Sequence, residues 1–165
     1  IKYKKSIIFY YTFCDIVVFL QHNFMFNIDK YRQINDFLEK TSNSAKIIAI
    51  SKNHPIESIL EAIKSGVYIF GENRVQEAKE KFQTVKQKNP KIQLHLTGPL
   101  QSNKVKAAIS LFDVFHTLDR EKIAREFSKY KDQLESKKIF LQINIGKEQT
   151  KSGIYPEDTK DFLFF

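Results

Sequence analysis

The chain has one cysteine and one methionine. Cys14 stands alone among 165 residues, so no disulfide can close within the chain and no cysteine-based metal site follows. Met25 is the only methionine, and the chain opens on Ile1. Long apolar runs are also scarce. Ile7 to Leu20 comes nearest, but Asp15 interrupts it and it falls short of the roughly 20 residues a spanning helix needs. Lys2, Lys4 and Lys5 before it imitate a signal peptide, yet no small-residue cleavage site follows. His22, His54, His95 and His116 lack metal-ligand spacing with carboxylates. Acidic residues are the minority, 19 against 27 basic ones, which leaves a net charge of +8. That excess invites a nucleic-acid partner. Against it, lysines alternate with glutamates, as in Glu77-Ala78-Lys79-Glu80-Lys81, which is the pattern of a solvated face. No nucleic-acid recognition string is present. The expectation is a cytoplasmic chain with neither a nucleic-acid nor a membrane partner.

What the chain does have is a recurring pattern. Apolar, strand-like runs begin near Lys46, Val67, Lys91, Phe112 and Lys138. Helical stripes fill the gaps between them. Ile56, Ile59, Leu60 and Ile63 form one stripe, after Pro55 and before Gly66. Val75, Ala78, Phe82 and Val85 form the next, and Val105, Ala108 and Ile109 a shorter one. Ile123, Phe127, Tyr130 and Leu134 form the last, with Asp119 as its expected N-cap. Strands alternating with helices at this spacing predict βαβ units and a parallel sheet. A doubly wound sheet and a (β/α) barrel both fit that order.

Strand phase favours the barrel. In Lys91–Thr97 one phase is Ile92, Leu94 and Leu96, and the other is Gln93, His95 and Thr97. In Ile139–Ile145 one phase is aliphatic, and the other ends in Gln142 and Asn144. A central strand of a doubly wound sheet is covered by helices on both faces and should be apolar in both phases. A barrel strand turns one face inward, where polar groups near its C-terminal end can meet a ligand.

Lys52 lies where the first run, Ile47-Ile48-Ala49-Ile50, hands over to a helix. In parallel α/β proteins that is the ligand-binding end. A lysine partly desolvated there can lose its proton and act as an amine nucleophile toward an aldehyde. On this segment alone, a solvated loop lysine is the commoner outcome.

Longer strings narrow the choice. They are Ala49-Ile50-Ser51-Lys52, Phe70-Gly71-Glu72-Asn73-Arg74-Val75-Gln76-Glu77, His95-Leu96-Thr97-Gly98-Pro99-Leu100-Gln101-Ser102-Asn103-Lys104, His116-Thr117-Leu118-Asp119, and Gln142-Ile143-Asn144-Ile145-Gly146 with Lys151-Ser152-Gly153. In order and separation they resemble the pyridoxal phosphate homeostasis proteins, the YggS/PROSC-like group, across residues 46–153. Thr97 and Pro99 depart from the family's usual residues. The resemblance implies a single-domain (β/α)8 barrel of the alanine-racemase type, of which about five βα units are present. It implies pyridoxal 5′-phosphate (PLP) held as a Schiff base on Lys52. It also implies Asn73 near the cofactor, His95, Asn103, Lys104, His116 and Asn144 at the barrel mouth or the loops above it, and Lys151 as a loop lysine that accepts PLP secondarily. PLP-dependent apoenzymes are the implied partners, and a full-length form would be a monomer or weak dimer. A true PLP enzyme of the alanine racemase fold type is the alternative. It would need a second acid/base group facing the cofactor from another domain, so the carrier is preferred.

Residues 1–24 resemble nothing in the family and read as upstream translated sequence. Residues 25–165 read as the N-terminal part of one barrel domain, short of the roughly 200 to 250 residues of a closed one. The family's phosphate cradle and the arginine facing the pyridine nitrogen would lie beyond residue 165. Two edges are then expected, at Lys46–Ile50 and Ile139–Ile145, with Gln93, His95, Gln142 and Asn144 open to water.

Overall fold

The computed structural model describes the backbone of residues 16–18 and residues 26–41 and 45–164 in full. Six strands alternate with helices. They are β1 (Ile16–Val18), α1 (Ile28–Lys40), β2 (Ile47–Ile50), α2 (Ile56–Lys64), β3 (Ile69–Glu72), α3 (Val75–Lys88), β4 (Gln93–Leu96), α4 (Val105–Leu111), β5 (Val114–Leu118), α5 (Glu121–Ser128), α6 (Lys131–Leu134), β6 (Lys138–Leu141) and α7 (Thr159–Leu163). All neighbouring strands are parallel, and their spatial order is their chain order, β1 to β6. A doubly wound sheet reverses direction at a switch point. Among the described residues this sheet has none, so the architecture is that of a barrel wall.

One face of the sheet carries the main core. Ala49, Phe70, Leu94, Leu96 and Phe115 point toward the helices, which contribute Ile59, Ala62, Ala78, Phe82, Val85, Ala108, Ile109, Ile123 and Phe127. Phe82 is fully buried and its ring lies 5.4 Å from that of Phe70. Burying a side chain of that size stabilises by about 2–3 kcal/mol. The opposite face carries Ile48, Ile50, Gly71, His95 and His116. Gly71 is tight because a Cβ there would stand 2.4 Å from Ile50 Cδ1.

Several sequence expectations need correction. Three of the five strands begin two residues after the expected start, because Val67, Ile92 and Phe112 bury their side chains before pairing begins. Leu60 is 41% exposed; the covered side of α2 is Ser58, Ile59 and Ala62. The helix expected from Ile123 through Leu134 is broken between α5 and α6 at Lys129 and Tyr130. The residue capping α5 is Arg120, not Asp119, and it makes no side-chain cap bond. The Asp119 carboxylate instead pairs with Arg120 Nη1 at 2.5 Å, while Arg120 Nη2 donates to the Leu100 carbonyl at 2.6 Å.

The edges also differ. The first expected strand is not an edge, since Ile16–Val18 pairs alongside it in parallel, Ile16 opposite Ile47. The remaining residues of the expected 1–24 leader lie outside the described residues. The inner face is not open throughout either. His95 is 4% and Asn144 6% exposed, while Gln93 and Gln142 are half-buried. Among the described residues no helix is long and apolar enough to cross a membrane.

Candidate functional site

The C-terminal ends of β2 to β6 share one side of the sheet, and the polar residues of interest gather there. Lys52 occupies the turn between β2 and α2 and is half-buried. The turn closes with the His54 N–H donating to the Ser51 carbonyl at 3.1 Å. Asn53 within it has φ +61°, the left-handed region that asparagine tolerates better than most residues. Ser51 ties the turn to the sheet. Its N–H donates to the Gly71 carbonyl at 2.9 Å, and its hydroxyl to Glu72 Oε1 at 2.8 Å.

Asn73 follows β3 directly. Its Oδ1 accepts from the Thr97 hydroxyl at 3.0 Å, and that hydroxyl also reaches the Glu72 carbonyl at 3.2 Å. The loop after β4 presses on the same residue: a Cβ on Gly98 would lie 2.3 Å from the Asn73 carbonyl oxygen. Glycine is therefore what allows these two strand ends to touch. The strand registers pair Ile50 with Gly71, Gly71 with His95 and Leu96 with Phe115. Carried one or two residues on, they set Lys52, Asn73, Thr97 and His116 in one layer across the sheet.

His95 and His116 lie within strands β4 and β5, on the inner face, and not on the loops above. His95 Nδ1 and His116 Nε2 are 2.8 Å apart, and the rings stack with centroids 5.0 Å apart. Gln93 Oε1 lies 3.1 Å from His95 Nε2, so His95 donates there and accepts from His116. Phe140 closes the other side of His116, ring to ring at 5.2 Å. Burial pushes His95 down to about 3, helped by His116 and by the charges of Lys138, Lys46 and Lys86. Burial alone pushes His116 down to about 4. Both imidazoles are neutral near pH 7, so they place hydrogen bonds, not charge, beneath the strand ends.

The other expected site residues are spread along the rim. Asn103 and Lys104 lie in the short 3₁₀ turn Ser102–Lys104 that leads into α4, and both are exposed. Asn144 follows β6 and turns its amide into its own loop. Nδ2 donates to the carbonyls of Glu148 and Lys151, and Oδ1 accepts from the Glu148 N–H. It thereby shapes the loop that carries Lys151, whose Nζ meets Glu148 Oε1 at 2.6 Å. The structure thus joins His95 to His116, sets Lys52 and Asn73 at neighbouring strand ends, and leaves Asn103, Lys104 and Lys151 on surrounding loops.

Glu72 was not singled out as a site residue, and Glu77 and Lys81 were expected on a solvated face, but their side chains are only 25% and 11% exposed because they turn onto the Lys52 loop. Glu72 is fully buried and pairs with Lys81 at 2.7 Å. Burial raises its pKa, against the lowering effect of Lys81 and Ser51. A glutamate inside an otherwise apolar strand, and a Glu77/Lys81 pair one helical turn apart, were the signals available.

A lysine at the end of a strand, in a parallel β/α sheet whose spatial order follows the chain, belongs to the class of β/α barrels. Residues 28–164 match the family described as "Alanine racemase, N-terminal domain", and the chain belongs to it. Its relatives within that family include the pyridoxal phosphate homeostasis protein of Pasteurella multocida, 42% identical over 127 residues, covering 74% of this chain and 53% of that protein. The protein of the same name from Haemophilus influenzae is 38% identical over 140 residues, covering 84% and 59%. Among solved structures, PipY of Synechococcus elongatus with PLP bound is 34% identical with a TM-score of 0.70, covering 82% of this chain and 61% of that one. PipY without PLP superposes with a TM-score of 0.73. The chain spans between half and two thirds of the length of these relatives.

Proposed function

We propose that this chain is part of a pyridoxal phosphate homeostasis protein that holds PLP covalently through Lys52 Nζ. The observation that carries the reading is the place of Lys52, half-buried in the turn that ends β2, in a chain 34% identical to a neighbour with PLP bound. The cofactor supplies an aldehyde carbon that condenses with a primary amine, with release of water. The residues present suit such a group. Lys52 offers the amine, and the neutral His95–His116 pair beneath the strand ends adds no competing positive charge. Asn73 and His116 share the layer of Lys52 and would border the ring, while Asn103, Lys104 and Lys151 would stand at the rim as polar and cationic contacts for an anionic ligand.

The relatives named for cofactor homeostasis favour a carrier over a racemase-like enzyme. Its partners would be apoenzymes that need the cofactor, its setting the cytoplasm, and its full-length form a monomer or weak dimer. Borohydride reduction of the PLP-loaded protein, followed by peptide mass mapping, tests the reading. The adduct should fall on Lys52, and Lys52→Ala should abolish the visible absorption. An adduct on another lysine, with Lys52→Ala still coloured, would overturn it.

A further inference from the structure

Lys81 lies in the middle of α3, away from the strand ends, yet its ammonium reaches the Lys52 turn at two points. Its side chain is 11% exposed. Nζ donates to the Ser51 carbonyl at 2.7 Å and lies 3.3 Å from the His54 carbonyl. Those two residues bracket Lys52 and Asn53. The same Nζ meets Glu72 Oε1 and Glu77 Oε1, each at 2.7 Å. Glu77 Oε1 also accepts from the Asn53 N–H at 2.6 Å. Glu72 Oε1 is shared with the Ser51 hydroxyl. Ser51, Asn53 and His54 are therefore each bonded to this trio of side chains.

The cost of the arrangement argues for a purpose. Glu72 is fully buried, and its Oε2 has no hydrogen-bond partner. A buried carboxylate left half-satisfied is unfavourable, and well-packed apolar residues in place of a buried ion pair are often as stable or more so. The turn also includes Asn53 in a left-handed conformation, which asparagine adopts at modest cost. The platform is rigid. Ala78, Phe82 and Val85 anchor α3 in the core, and Glu72 ends a strand paired on both sides.

We infer that Glu72, Glu77 and Lys81 form a clamp that positions Lys52. The strand end and the helix are joined through one ammonium, and that ammonium sets the direction in which the lysine leaves the turn. The clamp acts through the backbone of Ser51–His54, so its members are positioning residues and not catalytic ones. This inference rests on Lys52 being the PLP-bearing lysine.

The test compares the intact protein with Lys81→Met and Glu77→Ala. Lys81→Met removes the ammonium and keeps the stem. Glu77→Ala leaves the buried Glu72–Lys81 pair in place and so remains informative if Lys81→Met fails to fold. Two readouts are followed. In the protein without PLP, amide hydrogen exchange at Asn53 and His54 should speed up about tenfold or more in Lys81→Met and less in Glu77→Ala. Amides of β4 should keep their protection. At saturating PLP, the visible circular dichroism of the bound cofactor should fall to about half or less, since a loosened turn lets the lysine point several ways. A merely stabilising ion pair would lower the melting temperature and leave that band intact. An unchanged band together with unchanged exchange at Asn53 and His54, in a protein whose reduced adduct maps to Lys52, overturns the clamp alone. An adduct mapping elsewhere overturns the cofactor reading and the clamp's role with it.

Discussion

His95 Nδ1 stands 2.8 Å from His116 Nε2, so the two rings share a single proton across that gap. A second proton there would set two N–H donors face to face and leave a buried cation. Folded, the imidazoles resist protonation down to about 3 and about 4. Unfolded, they take up a proton near 6.5. The unfolded chain therefore binds more protons throughout that interval, and stability falls as pH falls below 6.5. Each imidazole contributes about 1.4 kcal/mol in all between pH 7.5 and pH 5.5, the slope steepening as pH falls through 6.5. Urea titrations between pH 7.5 and pH 5.5 should show it, and His95→Gln should flatten it by roughly half. Glu72 and Asp119, both raised by burial, act with the opposite sign, so the test rests on the difference between the wild type and His95→Gln, in which their contributions cancel. A pH-independent urea midpoint would contradict this account.

Gly98→Ala should be costly. The new Cβ would meet Asn73 backbone atoms at 2.3 and 2.6 Å, and backbone does not yield as a side-chain tip does. We expect a loss of about 2–3 kcal/mol in urea unfolding, as for overpacking of a tight site. We also expect weaker PLP binding, because Asn73 must move away from Thr97. Full stability in this variant would show that the two strand ends are looser than drawn.

Asn144→Ala should free the loop from residue 145 to residue 152. Three hydrogen bonds from one buried amide hold it. Leaving their partners unsatisfied costs about 1–3 kcal/mol. Limited trypsin digestion should then cut after Lys147 and Lys151 several-fold faster. Digestion at the wild-type rate would assign the loop's order to other contacts, such as the Lys147–Glu157 pair.

The outer side of β6 should promote association. Lys138–Leu141 pairs with β5 on one side. On the other side, among the described residues, the only pairing is the bridge of Ile143 with Ile154 just beyond the strand. Unpaired parallel edges recruit other chains. Sedimentation velocity of the 165-residue chain should show concentration-dependent oligomers, and β6 amides should exchange faster than those of β4. A monomer with a fully protected β6 would contradict this.

Much of the architecture was legible because the helix stripes and strand runs are separated by clear switches of period. Ala78, Phe82 and Val85, and Val105, Ala108 and Ile109, all lie buried where helical spacing places them. The phase of Gln93, His95 and Thr97 correctly separated the two faces of β4. Leu60 misled because its position on α2 falls just outside the covered side, where an apolar side chain is tolerated in water. The break between α5 and α6 left no proline or glycine to mark it. Lys52 was found by its place at a strand end, but its supports were not. Glu72 and Lys81 are nine residues apart on different elements, and neither periodicity nor local spacing reveals an ion pair closed by the fold.

Ile16–Val18 occupies the flank of β2 that β3 does not. In a ring of parallel strands that flank is the seam, the berth of the last strand. The row of amides and carbonyls there can serve one neighbour at a time. Docking of Ile16–Val18 and closure of a barrel are therefore rival occupancies of the same berth. Any strand that seals the seam, in the same chain or another, must first evict this one.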